Sequence, residues 1–336
     1  IRSARLASLV RETGDINRKV RSIPDTIAFL DKETAPERRM TYVPTLGWFR
    51  RVRHRKTGMT GFSLGCLILM ATGAVAGSGH GPTWALVYSG DGDPRALGRY
   101  DLVVLDALTH PPLQPIKSRG AEVYGYLSIG EADGFRPHYE RARELGLIIG
   151  ENPNWPDNFM VDVRADVWLE MLIYEVVPRI IRSGFDGLML DTADSAIHLE
   201  QTEPARFAGM SDAVVRLVKA LRANFPDTKL IINRGYGILE RIGGDIDYIL
   251  AESLYTDYDF ETNEYRIRDE AGYRWQTDQL YPVMKANPGL RVLSLDYWHQ
   301  DDTETIREIY RLQRANGFLP YVSTIDLQTL YPEPDR

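Results

Sequence analysis

Eight short apolar runs recur along the chain from residue 84 onward, and they limit its fold more than any other feature. They lie at 84–89, 102–106, 123–129, 188–191, 229–233, 248–252, 292–297 and 320–325. Such near-continuous runs are typical of parallel strands covered on both faces. Amphipathic helical patterns lie between several of them, at 167–183, 205–224 and 303–316. This alternation predicts an α/β fold, a (β/α)8 TIM barrel, with a doubly wound open sheet as the alternative.

Residues 40–76 have the pattern of a secretory signal peptide. A basic stretch at 50–56 precedes an apolar stretch that runs from Phe62 to Ala76, and Gly77 follows a small-x-small sequence. The apolar stretch is shorter than the roughly 20 residues that a membrane-spanning helix needs. We therefore predict cleavage after Ala76 and a secreted or periplasmic protein, with a membrane-anchored protein as the alternative.

The signal-like segment divides the chain into three parts. We expect residues 1–39 to be upstream sequence translated with the frame, with Met40 as the start; a genuine N-terminal extension is the alternative. Residues 80–334 are predicted to form the barrel domain. The single cysteine, Cys66, lies within the signal-like segment, so a chain cleaved after Ala76 would contain none and could form no disulfide.

Charge and histidine usage narrow the classes of ligand. The formal net charge of −7 argues against a nucleic-acid surface, which needs a basic face, and suits a neutral or cationic ligand. The six histidines are isolated and show no metal-ligand spacing. No phosphate-binding or dinucleotide-binding glycine motif occurs either. We therefore predict neither a metal site nor a cofactor.

Two carboxylates end apolar runs that lie two apart in the predicted barrel. Asp191 ends the fourth run and Glu252 ends the sixth. Because the C-terminal ends of barrel strands carry the active site, these side chains can face each other across its mouth. A glycosidase needs such a pair, one carboxylate to attack or stabilise the anomeric carbon and one acid to protonate the leaving oxygen. We predict Asp191 and Glu252 as catalytic residues.

Other polar side chains at the strand ends are predicted to contact a substrate. They are Tyr88, Asp106, Ser128, Glu131, Arg136, Asp194, Asn233, Arg234, Tyr236, Tyr255, Asp296 and Tyr297. Burying so many polar groups together without a function would cost stability. Structural roles are the alternatives: Asp106 and Asp194 could each cap a following segment. Arg234 could hold a carboxylate in place, and Asp296 could be an ion-pair partner.

The segment between residues 129 and 167 is too long for an ordinary connection between a strand and a helix. It contains the sequence Asn152-Pro-Asn-Trp-Pro156. Long insertions on a compact scaffold are often functional. We predict that this segment forms one wall of the cleft.

Three motifs resemble those of the glycoside hydrolase 114-type barrel family, over roughly residues 82–332. They are YLSIGEA at 126–132, GFDGLMLD at 184–191 and DYILAES at 247–253. The family includes endo-α-1,4-polygalactosaminidases, and the hydrolase domain of a bacterial exopolysaccharide protein is similar. The resemblance implies an extracytoplasmic endo-glycosidase that cleaves α-1,4-linked galactosamine polymers, with Asp191 as nucleophile and Glu252 as acid/base.

The resemblance leaves several alternatives open. A retaining mechanism is preferred, and the distance between the two carboxyl groups distinguishes it from inversion. The substrate is expected to be a polysaccharide or oligosaccharide, and the acidic rim suits an amino sugar polymer that carries ammonium groups. A glycosidase for a different α-linked polymer and a non-catalytic polysaccharide-binding barrel are the alternatives.

Overall fold

A computed structural model describes residues 81–334 of the chain. The predictions for residues 1–39 and for the signal-like segment 40–76 lie outside the described residues and stay predictions.

Eight parallel strands form one sheet in chain order. They are Trp84–Val87 (β1), Leu102–Leu105 (β2), Glu122–Ser128 (β3), Gly187–Asp191 (β4), Lys229–Asn233 (β5), Tyr248–Glu252 (β6), Arg291–Tyr297 (β7) and Leu319–Ser323 (β8). The first and last strands meet where the Trp84 indole Nε1 donates to the Leu319 carbonyl at 2.7 Å. Its ring also packs on Tyr321, with 5.5 Å between ring centroids. The sheet thus nearly closes, which confirms the predicted (β/α)8 barrel over the open sheet.

Helices connect successive strands on the outside of the barrel. The α-helices are Pro94–Leu97, Leu113–Lys117, Tyr139–Glu144, Asp166–Met171, Val177–Arg182, Ala193–Thr202, Pro204–Phe207, Met210–Asn224, Leu239–Ile242, Glu270–Ala286 and Thr303–Ala315. A π-helical turn, Leu172–Val176, and a 3-10 turn, Tyr236–Ile238, adjoin them. No helix among residues 81–334 has the length and apolar character to cross a membrane.

The helix boundaries follow local chemistry. The last helix begins at Thr303 because the Asp302 side chain accepts a hydrogen bond from the Thr305 amide. The pattern predicted over 205–224 is interrupted because Gly209 adopts φ 88°, a left-handed conformation. The helix Glu270–Ala286 was not predicted, since it contains Gly272 and Pro282, two residues that disfavour helices.

Alternate side chains of each strand face the barrel interior. Met189, Ile231 and Leu250 belong to the buried cluster that fills it. Their strand neighbours, such as Leu188 and Ile249, pack outward against the helices. Because side chains in a strand alternate with a period of two, the residue two positions after each interior side chain also faces inward. At the C-terminal ends of β4, β5 and β6, those residues form the mouth of the barrel.

Two small antiparallel sheets are built on the C-terminal ends of the strands. The first, Glu131–Asp133, Ile148–Glu151 and Asn158–Val161, lies in the long segment between β3 and β4. The second is a hairpin of Thr256–Asp259 and Glu264–Ile267, which follows β6. We call them the β3 insertion and the β6 hairpin. The insertion occupies the segment predicted to form a wall of the cleft.

The β3 insertion begins with a close approach between two backbone segments. The Gly130 amide donates to the Thr192 hydroxyl at 2.8 Å, just after the end of β4. A Cβ atom on Gly130 would lie 2.1 Å from the Thr192 carbonyl oxygen, far inside van der Waals contact. Only glycine fits here, because backbone cannot move aside as a flexible side chain can.

We predict that Gly130→Ala lowers the free energy of unfolding by about 3 kcal/mol, because the added methyl group forces β3 and β4 apart. Gly150→Ala is the control, since its Cβ would meet only the Met160 methyl group, at 4.0 Å. Urea unfolding followed by circular dichroism measures both. Equal losses for the two variants would contradict the role assigned to Gly130.

Candidate active site

The two predicted catalytic carboxylates lie together at the mouth and share one hydrogen-bond donor. Asp191 ends β4, Glu252 ends β6, and Asn233 ends β5 between them. The Asn233 amide nitrogen donates to Asp191 Oδ1 at 2.9 Å and to Glu252 Oε2 at 2.7 Å. These two oxygens can therefore be no farther apart than the sum of the two donor–acceptor distances. That upper limit is shorter than the roughly 6.5–9.5 Å that separate the two carboxyl groups of inverting glycosidases.

Within residues 81–334, each carboxylate accepts a hydrogen bond from one further donor. The Tyr297 hydroxyl donates to Glu252 Oε1 at 2.6 Å, and the Thr192 amide donates to Asp191 Oδ1 at 2.8 Å. Burial first, and then the charges of Asp191 and Glu252, raise the pKa of the Tyr88 hydroxyl. No hydrogen bond joins either carboxylate of the pair to an arginine or lysine of residues 81–334.

Burial and charge repulsion favour the protonated form of Asp191. Burial contributes most and the Glu252 charge second, and together they raise the pKa of Asp191 to about 7. The hydrogen bonds from Asn233 and Thr192 act in the opposite direction. Two interacting carboxyls titrate as a pair, so the site binds one proton in the range below pH 7.

Three residues in the left-handed conformation follow the three strand ends. They are Thr192 with φ 63°, Arg234 with φ 53° and Ser253 with φ 51°. None of the three is glycine. A non-glycine residue that its surroundings hold in the left-handed conformation costs about 1–3 kcal/mol in backbone strain. Each turns the chain sharply as soon as its strand has delivered a side chain to the mouth.

The turn after Glu252 is held by buried side-chain donors. The Ser253 carbonyl accepts from Arg268 Nη2 at 2.9 Å and from Gln276 Nε2 at 3.0 Å. Gln276 in turn accepts a hydrogen bond from the Tyr236 hydroxyl at 2.6 Å. Tyr236 thus connects the turn after β5 to the turn after β6. These contacts fix the peptide group that follows Ser253, and so they hold the turn that begins directly after Glu252.

Asp106 and Arg136 are brought to the mouth but are bonded to each other. The Arg136 guanidinium donates to Asp106 at 2.5 Å and to Asp133 at 2.6 Å, and it lies 5.3 Å from the centre of the Tyr126 ring. Asp106 also accepts from the backbone amides of residues 108 and 109. This arrangement orients Tyr126, whose ring meets Tyr88 edge-on at 5.3 Å.

Glu131 and Ser128 join the β3 insertion to Thr192 and to the helix Ala193–Thr202, which follow β4. The buried Glu131 carboxylate accepts from Ser195 Oγ at 2.6 Å and from Asn152 Nδ2 at 3.0 Å. Burial, the largest effect, raises its pKa. The Ser128 hydroxyl donates to the Glu131 carbonyl at 2.8 Å and lies 2.8 Å from the Thr192 hydroxyl.

Arg234 and Asp194 form an ion pair beside the carboxylates. Their closest atoms, Arg234 Nη1 and Asp194 Oδ2, are 3.5 Å apart. Within residues 81–334, Arg234 Nε and Asn233 Oδ1 are buried without a hydrogen-bond partner. Burial lowers the pKa of Arg234, but the charges of Asp194, Tyr236 and Glu252 raise it more. Arg234 therefore stays cationic.

Asp296 and Tyr255 are placed away from the mouth. Leu295 and Tyr297 face the interior of β7, so Asp296 between them faces outward. Its carboxylate is fully buried and accepts from the amides of Tyr255 and Thr256 and from Gln313. Tyr255 packs against a cluster on the outer side of β8. The structure therefore gives Asp296 a role in holding the start of the β6 hairpin.

Several residues of the site were not predicted from the sequence. Tyr126 precedes Ser128 by two positions and could have been found by the period of two within β3. Thr192 directly follows Asp191, and this position in the sequence was the only signal that could have identified it. Arg268 and Gln276 act from a loop and a helix beyond β6, and no local pattern marks them.

Comparisons with known proteins show similarity in sequence and fold to glycoside hydrolases. A sequence profile described as glycoside-hydrolase family GH114 matches residues 70–336. The solved glycoside hydrolase domain of PelA from Pseudomonas aeruginosa is 26% identical, covers 75% of this chain and 99% of that domain, and superposes with a TM-score of 0.67. An uncharacterised protein of Deinococcus radiodurans is 26% identical over 271 residues, 74% of this chain and 82% of its own length.

A fungal structure shares the fold at lower identity. Ega3 of Aspergillus fumigatus, solved in complex with galactosamine, is 14% identical, covers 76% of this chain and 96% of that chain, and superposes with a TM-score of 0.56. The likeness is one of fold.

We predict that Asp191→Asn stabilises the folded protein, and more so at about pH 8 than at about pH 5. The pKa of Asp191 rises from its ordinary value of 3.8 to about 7 on folding. In the wild type, the contribution of Asp191 to the free energy of unfolding is therefore fully present only below its unfolded pKa. That contribution is lost as the pH rises through 7. The gain at pH 8 should be about 0.5–2 kcal/mol by urea unfolding. Asp227→Asn, at an exposed position, is the control. A gain independent of pH would contradict the raised pKa.

Proposed function

This chain belongs to glycoside-hydrolase family GH114 and is a glycoside hydrolase, and from that premise we propose that it cleaves an α-1,4-linked galactosamine-containing polysaccharide internally. We assign Asp191 as the nucleophile and Glu252 as the acid/base. The observation that carries this proposal is the amide of Asn233, which holds both carboxylates at the mouth. The resemblance of the motifs gives each carboxylate its role.

The spacing of the pair supports retention of anomeric configuration. Retaining enzymes keep their carboxyl groups about 5–5.5 Å apart, whereas inverting enzymes leave room for a water molecule between carboxylate and sugar. A single amide nitrogen within 2.9 Å of Asp191 and 2.7 Å of Glu252 leaves no such room between the two bonded oxygens. A covalent intermediate on Asp191 fits this geometry better than direct attack by water.

The proposed reaction has two steps. In the first, Asp191 attacks the anomeric carbon while Glu252 gives its proton to the departing glycosidic oxygen, which leaves as a hydroxyl group. In the second, Glu252 takes a proton from water, whose oxygen bonds to the anomeric carbon and displaces Asp191. The Tyr297 hydroxyl and the Asn233 amide both donate to Glu252, and they hold it in place through both steps.

The first step needs one proton on the pair. The raised pKa of Asp191, about 7, means that the pair holds a proton below neutral pH. In the reactive form, Glu252 carries that proton and Asp191 carries the negative charge. Before substrate binds, the proton belongs to the pair as a whole. Above about pH 7 the pair loses that proton, and no acid is left to protonate the leaving oxygen.

The charge of the mouth supports an amino sugar as substrate. Asp191, Glu252 and Glu131 have neutral donors, whereas the arginines nearby are engaged by other aspartates. Uncompensated carboxylates attract an ammonium group. Galactosamine is also the sugar bound in Ega3, a protein that shares this fold.

We predict that the full-length protein releases a ladder of oligosaccharides from partly deacetylated α-1,4-galactosamine polymer, read by mass spectrometry. Asp191→Asn and Glu252→Gln should each lower the rate at least about 10³-fold, because each removes a group the chemistry requires. Asp227→Asn is the matched control and should cleave like the wild type. Cleavage that survives both active-site substitutions would contradict the assignment of the pair. No cleavage by any of the proteins would contradict the substrate.

We predict that kcat/KM falls as the pH rises through about 7, as the pair loses its proton. Tyr297→Phe should move this alkaline limb up by about 1 pH unit, because loss of a hydrogen bond to Glu252 destabilises the ionised pair. All variants act on the same partly deacetylated oligosaccharide, so titration of the substrate affects all of them alike. Tyr174→Phe, at an exposed tyrosine on the outer surface, is the control. A limb that stays in place in Tyr297→Phe would contradict the proposal.

A further inference from the structure

An aromatic side chain in the turn of the β3 insertion contacts an aromatic side chain in the turn of the β6 hairpin. Trp155 lies in the turn of the β3 insertion between its strands Ile148–Glu151 and Asn158–Val161. Phe260 lies in the turn of the β6 hairpin. Their ring centroids are 5.4 Å apart with an interplanar angle of 78°, an edge-to-face contact.

The two elements rise on either side of the proposed catalytic strands. The insertion follows β3 and the hairpin follows β6, and β4 and β5, which carry Asp191 and Asn233, lie between them in the sheet. The turn that carries Trp155 is tied to the mouth, because Asn152 at its start donates to Glu131. The contact between Trp155 and Phe260 therefore connects the β3 insertion to the β6 hairpin, the two elements that flank the strand ends of the site.

The contact continues as a row of aromatic rings along the hairpin. Phe260 meets Tyr258 at 5.1 Å, and Tyr258 meets Tyr265 at 5.1 Å. Tyr265 then meets His299 at 4.8 Å and Trp298 at 6.3 Å, both in the loop after β7. The row thus leads from the β3 insertion across the β6 hairpin to the loop after β7. Ring faces along such a path can stack on the apolar C–H faces of successive sugars.

Exposure distinguishes this contact from ordinary core packing. Trp155 keeps 45% of its surface accessible, although it is the largest kind of apolar side chain. Large exposed apolar groups beside a site mark surfaces that bind a ligand. A single edge-to-face contact between two loop tips is also weak enough to open and close again. A polymer chain could therefore enter from the side and then be covered.

We propose that Trp155 and Phe260 form an aromatic bridge over the path of the polysaccharide and make the hydrolase select long chains over short oligosaccharides. The inference rests on the proposed function and adds the residues that set its preference for chain length. A long chain reaches the bridge and the scissile position at once, whereas a short oligosaccharide fills only the sugar sites beside Asp191 and Glu252.

The test compares Trp155→Ala, Phe260→Ala and the double variant with the wild type, all as the full-length chain. The control is Tyr174→Ala, which removes a tyrosine of 71% exposure from the outer surface. For each protein, kcat/KM is measured on partly deacetylated α-1,4-galactosamine polymer and on a tetrasaccharide of the same sugar. Thermal unfolding of all five proteins shows whether any change in rate comes from loss of folded protein.

Each single variant should lower kcat/KM on the polymer roughly two- to tenfold and leave the tetrasaccharide rate unchanged. The double variant should lose little more than the larger single loss, because either substitution already breaks the bridge. Equal losses on both substrates, or polymer rates like that of Tyr174→Ala, would overturn the bridge while the proposed function stands. A wild type that cleaves neither substrate would overturn the proposed function and the bridge with it.

Discussion

Asn233 holds two carboxylates that would otherwise repel each other, and the rest of the site depends on that one side-chain amide. Its nitrogen donates to both Asp191 and Glu252, while its oxygen stays buried without a hydrogen-bond partner in the described part of the chain. Turning the amide over would direct that oxygen at two carboxylates, so electrostatics fixes its orientation. A buried unpaired acceptor costs about 1–3 kcal/mol, and the structure bears that cost to keep the pair close.

The barrel supports this arrangement by strain and buried hydrogen bonds together. The chain takes a left-handed turn at Thr192, Arg234 and Ser253, directly after the strand ends that bear the site. A turn of this kind would relax if nothing opposed it. Donors from Arg268 and Gln276 oppose this relaxation at Ser253, so these distant residues hold the turn that directly follows Glu252.

Strand periodicity explains how much of this could be predicted. The apolar runs marked the barrel and its strand ends, and the alternation within β4 and β6 leads from Met189 to Asp191 and from Leu250 to Glu252. The same alternation shows why two neighbours such as Asp296 and Tyr297 cannot both face the mouth. Left-handed turns on non-glycine residues have no such signature. Contacts made by Gln276, 23 residues beyond the carbonyl that it binds, depend on helix packing that no local pattern specifies.

The partners of each carboxylate separate the structural acids from the pair that we propose to be catalytic. Asp106 and Asp133 share Arg136, and Asp194 pairs with Arg234, so each of these three carboxylates has a cationic partner. Among residues 81–334, Asp191 and Glu252 accept hydrogen bonds only from neutral amides and hydroxyls. An arginine that donated a hydrogen bond directly to Asp191 would lower the pKa of Asp191 and remove the proton that the proposed mechanism needs near neutral pH. Neutral donors hold the two carboxyl groups in position without neutralising their charge, so the same contacts that position the pair also leave it able to take up and release a proton, as the proposed mechanism requires.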